Sequence, residues 1–499
     1  MVSQQKLVPI SKQVKNLDEL IHFLMGSSDY YHFSPINNEN YVEISYYRTL
    51  VNQEKVNQFI IPVFQYVEDK IPDMKEVMNH IPFNDIELTT DLELIEKKLT
   101  GGYIMIRLRK HVSQVLMVNV RDSKSGYRQS NETDNEFSVI GPKIGFVENL
   151  DTNVGLIRHK LTDSRLVLKE MTIGNMSKTR VVLLYLEGVT NPDYVNTAMQ
   201  RLNDFDMDVV FDSSLVDQII SDNSNSPFPQ FLSTERVDRV TFAIINGQIA
   251  IMADGSPYVF TAPTTLTDFF ISPEDYFMPW VVGSFFRLIR LIGVIFTLFA
   301  SALYVALMTY HFEVIPDGLI GPLISSRAFV PFTPLLEVIF LELTIEVLRE
   351  AGARLPTKIG STLGVVGGIV IGQAAVEAAL TSNILLIFVA LSALTSFTTP
   401  IFKMSNTVRL LRFPIIFAAA IWGGFGMVFM FILLLGHLMK LESLGSPYLA
   451  PFYPVRASNW TDTVIRPSYR FTSKRNGILR PLQNTRYIPK SRGEQDHDD

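Results

Sequence analysis

The sequence predicts an α/β N-terminal region of two small α/β subdomains, followed by an α-helical multi-span membrane domain of four to five helices. Residues 1–280 have ordinary soluble composition, with short strand-like runs alternating with helix-like runs. Residues 288–438 are mostly apolar, and residues 441–499 are polar and basic. Charged residues make up 19% of the 499 residues, which is few for a soluble protein of this length.

The changes in composition divide the chain into five segments. We predict a flexible segment with a short helix at 1–29, a first α/β subdomain at 30–134, a second at 135–280, a membrane domain at 281–440 and a basic polar tail at 441–499. The first 30 residues lack the apolar run of a signal peptide, so we expect the N-terminal region to stay in the cytoplasm.

In the segment before the first subdomain, either Asn16 or Asp18 could cap a short helix that stops at Gly26. In the first subdomain itself, strands and helices are predicted to alternate. The run at 41–50 alternates and predicts a strand, whereas 51–70 is typical of a helix interrupted at Pro62. A helix, a Gly-Gly stop and a strand follow in 91–110, and then a strand at 112–121.

The second subdomain repeats this alternation. Helical spacing at 146–161 precedes strands at 165–174 and 179–189, and Asn191 with Pro192 predicts the start of another helix. The Asn-Gly pair at 246–247 lies between two apolar runs, which predicts the turn of a β-hairpin.

Long apolar runs predict the membrane spans. They lie at 291–310, 359–380, 384–402 and 413–438. Trp280 and two phenylalanines beside Arg287 and Arg290 are typical of an interfacial anchor. Residues 313–334 contain too many prolines and glycines to span, and we expect them to be re-entrant or at the interface.

Positive charge in short loops predicts the orientation. Arg287 places the N-terminal region inside, and the loops around Arg354 and Arg409 should also be inside. If 335–348 crosses the membrane, there are five spans and an external C-terminus, which we favour. If it lies along the surface instead, there are four spans and an internal tail, as the basic composition of 441–499 suggests.

No motif predicts an enzyme, a cofactor site or a metal site. Nucleotide-binding, zinc-protease and serine-hydrolase motifs do not occur, there are no cysteines, and the eight histidines lack metal-ligand spacing. Four aspartates form an acidic run without the glycine and glutamate of a calcium loop: Asp204, Asp206, Asp208 and Asp212. The formal charge of −6 argues against a nucleic-acid binder.

Four glutamates lie in or beside one apolar helical run: Glu337, Glu342, Glu346 and Glu350. The last three fall within about 80° of one another on a helix, whereas Glu337 lies opposite Glu346 and must face something else. Carboxylates at membrane depth usually face a polar interior, so these acids could line a cation path or pair with a partner's bases. The alternatives are an amphipathic surface helix, or neutralisation by Arg349 and Arg354.

The next predicted helix carries glycines at every fourth residue: Gly360, Gly364, Gly368 and Gly372. This strong small-residue stripe predicts close helix packing, within the chain or between identical subunits. Gln373 and Glu377 continue along the helix and are costly if they face lipid. A second cluster around Gly423, Gly424 and Gly426 predicts a close contact or a bend.

Several segments carry a resemblance to a known family. They are GPKIGFVENLDTNVGLIRHK (141–160), LEGVTNPDYV (186–195), the run from TERVDRVTF to FTAPTT (234–265), SPEDYF (272–277) and the run from PFTPLLEV to GQAAVEA (331–378). On these, the sequence resembles the A subunit of the GerA-type spore germinant receptors of endospore-forming bacteria. The extreme N-terminus and the tail carry little of the resemblance, and the Ile-Asn-Gly at 245–247 departs from it.

The resemblance implies a subunit of a nutrient receptor in the spore inner membrane that triggers germination. It implies a transporter-like B subunit and a lipoprotein C subunit as partners, and homo-oligomerisation of the A subunit into an ion-conducting pore. Monovalent cations are then the permeant ions. Combined with the residues above, it gives Glu342, Glu346, Glu350, Gln373 and Glu377 as pore or coupling candidates.

Three classes of function are therefore weighed. The first is a nutrient-gated cation channel subunit, because carboxylate rings select cations. The second is a non-conducting signalling scaffold, in which the glutamates bind basic surfaces of another subunit. A secondary transporter is the weakest, since no inverted pair of matching halves is found.

Overall fold

The computed structural model of the protein describes residues 9–35, 42–65, 74–108, 114–121, 133, 136, 140–354, 370–455 and 462–487. These residues form two mixed helix-and-strand subdomains, a helical part and a folded tail. The predicted combination of α/β subdomains with a helical C-terminal part is thereby confirmed.

The first subdomain is built on an antiparallel sheet with strand order β1-β2-β4-β5-β3. Its elements are α1 (Leu17–Leu24), β1 (Tyr30–Phe33), β2 (Val42–Tyr47), α2 (Gln53–Lys55), the π-helical Val56–Ile60, α3 (Ile61–Gln65), α4 (Met74–His80), β3 (Ile86–Thr89), α5 (Leu92–Thr100), β4 (Tyr103–Leu108) and β5 (Val115–Asn119). Of the two predicted cap candidates, Asn16 is the one that caps α1, because its side chain accepts a hydrogen bond from Glu19 N–H at 2.9 Å.

The predicted interruption at Pro62 is a change of helix type rather than a break. The π-helical turn ends at Ile60, and the chain continues as α3 through Pro62. Because proline has no N–H, the helical ladder loses a bond there, and the preceding π-turn accommodates the change.

The second subdomain is built on a second antiparallel sheet, with strand order β6-β7-β9-β10-β8. Its elements are α6 (Leu150–Lys160), β6 (Leu166–Ile173), β7 (Thr179–Leu186), α7 (Pro192–Asn203), α8 (Ser213–Ile220), β8 (Leu232–Thr234), α9 (Val237–Asn246), β9 (Ile249–Ala253) and β10 (Val259–Ala262). The Asn191 side chain caps α7 at 3.0 Å from Asp193 N–H, with Pro192 at the first helical position, as predicted.

The two subdomains repeat one topology. In each, a helix precedes a β-hairpin, helices lead to the sheet's far edge strand, and one more helix leads to a final hairpin. Each sheet is covered on both faces. In the second subdomain, α6 and α9 pack on one face, and α7 and α8 on the other. In the first, α1 and α5 cover one face, and the π-helical turn, α3 and α4 cover the other.

The hairpin turn predicted at 246–247 is wrong. Asn246 ends α9, and Gly247 is its left-handed C-cap with φ 97°. Val237, Val240 and Ile244 recur at helical spacing and are buried against the sheet. A glycine after a helix and a glycine in a tight hairpin both need positive φ, so the Asn-Gly signal could not separate them.

The helical part follows the second subdomain. Its elements are α10 (Glu274–Phe277), α11 (Trp280–Thr309), α12 (Asp317–Arg327), α13 (Pro334–Arg354), α14 (residues 370–377), α15 (Asn383–Ser396) and α16 (Phe402–Lys440), then the short strands β11 (Glu442–Ser443) and β12 (Ser446–Pro447). Within the described ranges, α11 and α16 have the length and hydropathy needed to cross a bilayer. The four to five spans that we predicted are not confirmed as such.

The helix α16 reverses direction at Gly423, which has φ 62° and ψ −141°. A Cβ on Gly426 would collide with the Ala418 carbonyl, eight residues earlier, which a straight helix does not permit. The apolar run predicted at 413–438 is therefore not one straight helix: α16 is a hairpin of two antiparallel arms, 402–422 and 424–440. The small residues in the turn allow the arms to meet, as the predicted bend at this cluster required.

Both ends of α16 contact the second subdomain. At the start, Lys403 Nζ lies 2.6 Å from Asp217 Oδ2. At the end, His437 Nε2 lies 2.9 Å from Ser226 Oγ. We call this side of the helical part its near end. At the opposite, far end, Gly424 N–H donates to His311 Nε2 at 3.1 Å.

The helices α13 and α15 both run from the far end towards the near end. Ser382, which caps α15, lies beside Tyr304 close to the end of α11, whereas Thr395 bonds Thr297, two turns earlier in α11. Glu337 near the start of α13 also contacts Tyr304, and Arg349 near its end bonds Ser396. Residues 335–348 thus run between the two ends of the helical part.

The described tail, 462–487, folds back on the second subdomain. Arg475 Nε donates to Ile245 O at 2.7 Å, and Leu482 N–H donates to Val189 O at 2.9 Å. The favoured external C-terminus is therefore wrong, because the tail and the N-terminal region lie on one side. The reversal in α16 adds one passage between the two ends of the helical part, which hydropathy alone counted as part of a single span.

Candidate functional site

The helix α13 carries the four glutamates that the sequence analysis singled out. Pro334 occupies the first position of the helix, where a missing N–H costs nothing. The glutamates separate into a far-end residue, two central residues and one exposed residue near the end of the helix.

Glu342 forms a buried ion pair with Arg412 of the first arm of α16. Arg412 Nη1 lies 2.8 Å from Glu342 Oε2, and the two residues are 1% and 0% exposed. Ser301 of α11 donates its hydroxyl to Glu342 Oε1 at 2.5 Å, and Arg412 also donates to Ser392 Oγ of α15 at 3.2 Å. One ion pair thereby joins four helices.

Glu346, one turn further along α13, continues this cluster. Its carboxylate lies 3.3 Å from Arg412, 3.5 Å from Arg409 and 3.7 Å from Arg349. Neutralisation by Arg349 was one of the predicted alternatives, but the other two arginines come from α16. Glu342 and Glu346 therefore contact bases of their own chain.

Glu337 belongs to a separate cluster at the far end, consistent with its predicted opposite phase. It is fully buried and accepts a hydrogen bond from Ser382 N–H at 2.6 Å and from Thr381 Oγ1 at 3.3 Å. Arg327 of α12 lies 3.4 Å from it and compensates its charge. Glu337 thus ties α12 and the start of α15 to α13.

The remaining acids are exposed. Glu350 pairs with Arg354 at 2.5 Å, with both side chains more than half exposed, as the predicted neutralisation required. On α14, Gln373 Nε2 donates to Glu377 Oε1 at 2.8 Å, and both residues are exposed. These two polar side chains lie next to exposed Val370 in an apolar part of the chain.

One glycine of the predicted packing stripe can be placed. Gly372 is buried, and a Cβ there would meet Leu386 of α15 at 3.6 Å. Gly360, Gly364 and Gly368 lie outside the described residues. Intrachain packing of the stripe onto α15 is observed at Gly372.

A second buried network, which sequence reasoning missed, holds the tail to the start of α11. Arg287 is fully buried and donates to the Asp462 carbonyl O at 2.8 Å, and its Nε lies 3.4 Å from Asp275. Arg290 also pairs with Asp275, at 3.1 Å. Arg287 and Arg290, which were predicted to belong to an interfacial anchor, therefore form buried ion pairs within the protein.

A buried ion pair also joins the two subdomains. Arg158 of α6 donates to both carboxylate oxygens of Asp29 at 2.6 Å, and the two residues are 2% and 0% exposed. Burial alone would raise the pKa of Asp29, but Arg158 and the hydroxyls of Ser27 and Thr49 outweigh it and lower the pKa. The subdomains are thus coupled by a charge pair with little access to water.

The second subdomain also meets the helical part through a partly buried charge pair. Lys403 Nζ contacts Asp217 of α8 at 2.6 Å, beside the Phe260 ring. Burial raises the pKa of Asp217, and Lys403 offsets part of that effect. Within the described ranges, no group of three or more histidine and carboxylate side chains is arranged to hold a metal ion.

Comparisons with known proteins identify relatives over nearly the whole chain. The family model for Bacillus/Clostridium GerA spore germination proteins matches residues 18–478. The chain is 45% identical over 478 residues to spore germination protein GerQA of Bacillus cereus, covering 96% of this chain and 95% of GerQA. It is 45% identical over 474 residues to GerIA of Bacillus cereus, covering 95% of this chain and 70% of GerIA.

A solved structure is also similar. It is the crystal structure of the N-terminal domain of the A subunit of the Bacillus megaterium spore germinant receptor GerK3, with 24% identity and a TM-score of 0.38. The similarity covers 52% of this chain and 98% of that domain.

Proposed function

Because the chain belongs to the GerA family of Bacillus/Clostridium spore germination proteins, we propose that it is the A-type subunit of a nutrient receptor and oligomerises into a cation channel. The receptor includes a transporter-like subunit and a lipoprotein subunit and lies in the spore inner membrane. The predicted family membership is confirmed by these comparisons. Opening of the channel triggers germination.

Six traverses of the membrane fit the helical part. They are α11, α13, the segment 359–380 predicted from hydropathy, α15 and the two arms of α16. The arms of α16 are about 32 Å and about 26 Å long, close to the hydrocarbon thickness of a bilayer. An even number of traverses agrees with the contacts between the tail and the second subdomain. With the N-terminal region expected in the cytoplasm, the tail then lies on the cytoplasmic side as well.

The observation that carries the channel proposal is the exposure of Gln373 and Glu377 on α14. An exposed carboxylate in an apolar helical bundle is costly against lipid but favourable against water in a channel. Copies of α14 around one axis would place a ring of Glu377 carboxylates in the path of monovalent cations. Glu350, also exposed, would lie towards the cytoplasmic mouth.

The central acids then act in coupling rather than conduction. Arg409 and Arg412 neutralise the charges of Glu342 and Glu346 within the chain. Since Lys403 in the same arm of α16 contacts Asp217 of α8, movement of the second subdomain would be transmitted to α13 through this arm.

The pairing of Glu342 and Glu346 with arginines of their own chain also supports a second candidate function, a non-conducting scaffold, because neutralised carboxylates do not attract cations. In that function Glu377 and Gln373 bind a polar surface of another receptor subunit, and ions pass elsewhere. The receptor role itself is tested by deleting the gene from the spore former and scoring nutrient-triggered germination. We expect loss of the response to one set of nutrients and its recovery on re-expression; an unchanged response to every nutrient would contradict the role.

A further inference from the structure

The described tail carries an unusual combination of side chains. Residues 462–487 contain six basic residues against one acidic residue, Asp462. The basic residues are Arg466, Arg470, Lys474, Arg475, Arg480 and Arg486. Lys474 and Arg480 are exposed. Arg466 and Arg475 are buried, whereas Lys474 and Arg480 are exposed cations that suit an anionic partner.

Buried contacts fix the position of the tail along α11. Arg466 N–H donates to Ser284 Oγ at 3.1 Å, and its guanidinium, 2% exposed as a residue, donates to Asp275 O at 2.6 Å. Arg287 donates to Asp462 O at 2.8 Å. The tail thus lies beside the first two turns of α11, just before the apolar stretch that begins at 291.

At this level, large apolar side chains of the tail point outward. Ile465 is 54% exposed, Tyr469 65% and Phe471 73%. On α11, Trp280 is 49% exposed and Phe285 58%. The two sets adjoin, because the Tyr469 hydroxyl donates to the Tyr276 carbonyl O at 2.9 Å, four residues before Trp280.

We propose that this surface of the tail lies in the headgroup layer of an anionic lipid leaflet, with Ile465, Tyr469 and Phe471 inserted beside Trp280 and Phe285. This inference rests on the proposed membrane placement of α11. Aromatic side chains with a polar tip favour the membrane interface, and basic residues add attraction to anionic lipid. The tail would then be a belt that holds the start of α11 at a fixed depth.

Single cysteines give a direct test, since the native sequence has none. The full chain with Phe471→Cys carries a nitroxide label and is reconstituted into vesicles of phosphatidylcholine and phosphatidylglycerol. Collision rates with oxygen, which partitions into lipid, and with a water-soluble nickel chelate are measured. Phe285→Cys is the membrane control. Met176→Cys is the aqueous control, matched in exposure at 76% and placed in the β6–β7 turn, at the end of the sheet opposite Val189.

We expect the oxygen-to-nickel ratio at 471 to exceed that at 176 several-fold and to approach that at 285. Ile465→Cys gives an independent second label and should behave the same way. The ratio should fall when phosphatidylglycerol is omitted; an unchanged ratio overturns the role of anionic lipid.

Two other outcomes overturn the inference. If the nickel chelate reaches the labels at 471 and 465 as readily as the label at 176, while the label at 285 stays protected, the tail faces water. Protection from both reagents, with spin–spin broadening that disappears on dilution with unlabelled chain, means that a second copy covers the surface. If 285 is itself open to nickel, the proposed membrane placement fails instead.

Discussion

Arg412 and Glu342 form a buried ion pair between α16 and α13, with Nη1 and Oε2 2.8 Å apart. Taking two charges out of water is costly, and removal of one partner leaves the other uncompensated. The bonds to Ser301 and Ser392 extend the pair to α11 and α15. This pair therefore specifies how the helices assemble.

Arg412→Ala should destabilise the helical part strongly. The isolated Glu342 carboxylate would remain buried, which typically costs about 3–5 kcal/mol. The measurement is the midpoint of thermal unfolding in detergent micelles. Arg354→Ala is the matched control, because its partner Glu350 is exposed, and we expect no measurable change there.

The paired variant Glu342→Leu with Arg412→Met should recover most of the stability lost in Arg412→Ala, because no buried charge is left without a partner. If it is as unstable as Arg412→Ala, the loss arises from packing volume rather than from charge.

Gly423→Ala should impair folding of the α16 hairpin. Gly423 has φ 62°, and a Cβ there would lie 2.8 Å from His311 Nε2, so both backbone strain and a clash are expected, at about 1–3 kcal/mol. The yield of monodisperse protein reports this loss. Gly436→Ala, in the second arm with open space around its Cβ position, should give the wild-type yield; equal losses in both variants would contradict the turn.

The tail should be on the same side of the membrane as the subdomains. In sealed vesicles, a membrane-impermeant maleimide should label Leu482→Cys and Met176→Cys to the same fraction. Phe329→Cys, 86% exposed between α12 and α13 at the far end, should be labelled to the complementary fraction. If Leu482→Cys is instead labelled to the same fraction as Phe329→Cys, the tail lies on the opposite side from the subdomains, as in the five-span prediction.

Acid should weaken the contact between the two subdomains through Asp29. Its pKa is lowered in the folded protein, so the ionised form is favoured more in the folded than in the unfolded chain. The stabilisation is present above the unfolded pKa of about 4 and is lost as the pH falls through the lower folded pKa. The midpoint temperature of the N-terminal unfolding transition should therefore decrease when the pH is lowered below about 4. The decrease should be smaller in Asp29→Asn, and parallel pH profiles of the two proteins would exclude Asp29 as the cause.

The sequence predicted correctly those features that depend on interactions between residues close together in the chain, such as helix caps. The caps at Asn16 and Asn191 depend on residues within one turn, and both are found. The Asn-Gly at 246–247 failed because a helix C-cap and a hairpin turn make the same demand on glycine. The resemblance identified the family, but it could not place a single side chain.

The site was predicted less completely, because its contacts are long-range. Helical phase correctly separated Glu337 from the other glutamates, yet Arg412 is on another helix, and no spacing along α13 could show that it neutralises Glu342. Likewise, hydropathy counted 413–438 as one span, whereas Gly423 divides α16 and brings both ends to the second subdomain. The side of the tail follows from that reversal.

The most direct test of the channel proposal is cation flux through the reconstituted receptor. The full chain with its partner subunits is placed in potassium-loaded vesicles, and nutrient-triggered efflux is recorded for wild type, Glu377→Gln and Glu313→Gln, an exposed far-end acid outside α14. We expect efflux from wild type and Glu313→Gln, and roughly tenfold less from Glu377→Gln, equivalent to about 1.4 kcal/mol of lost cation stabilisation. Equal efflux from all three would remove Glu377 from the path, and no efflux under any nutrient condition would contradict conduction and favour the scaffold.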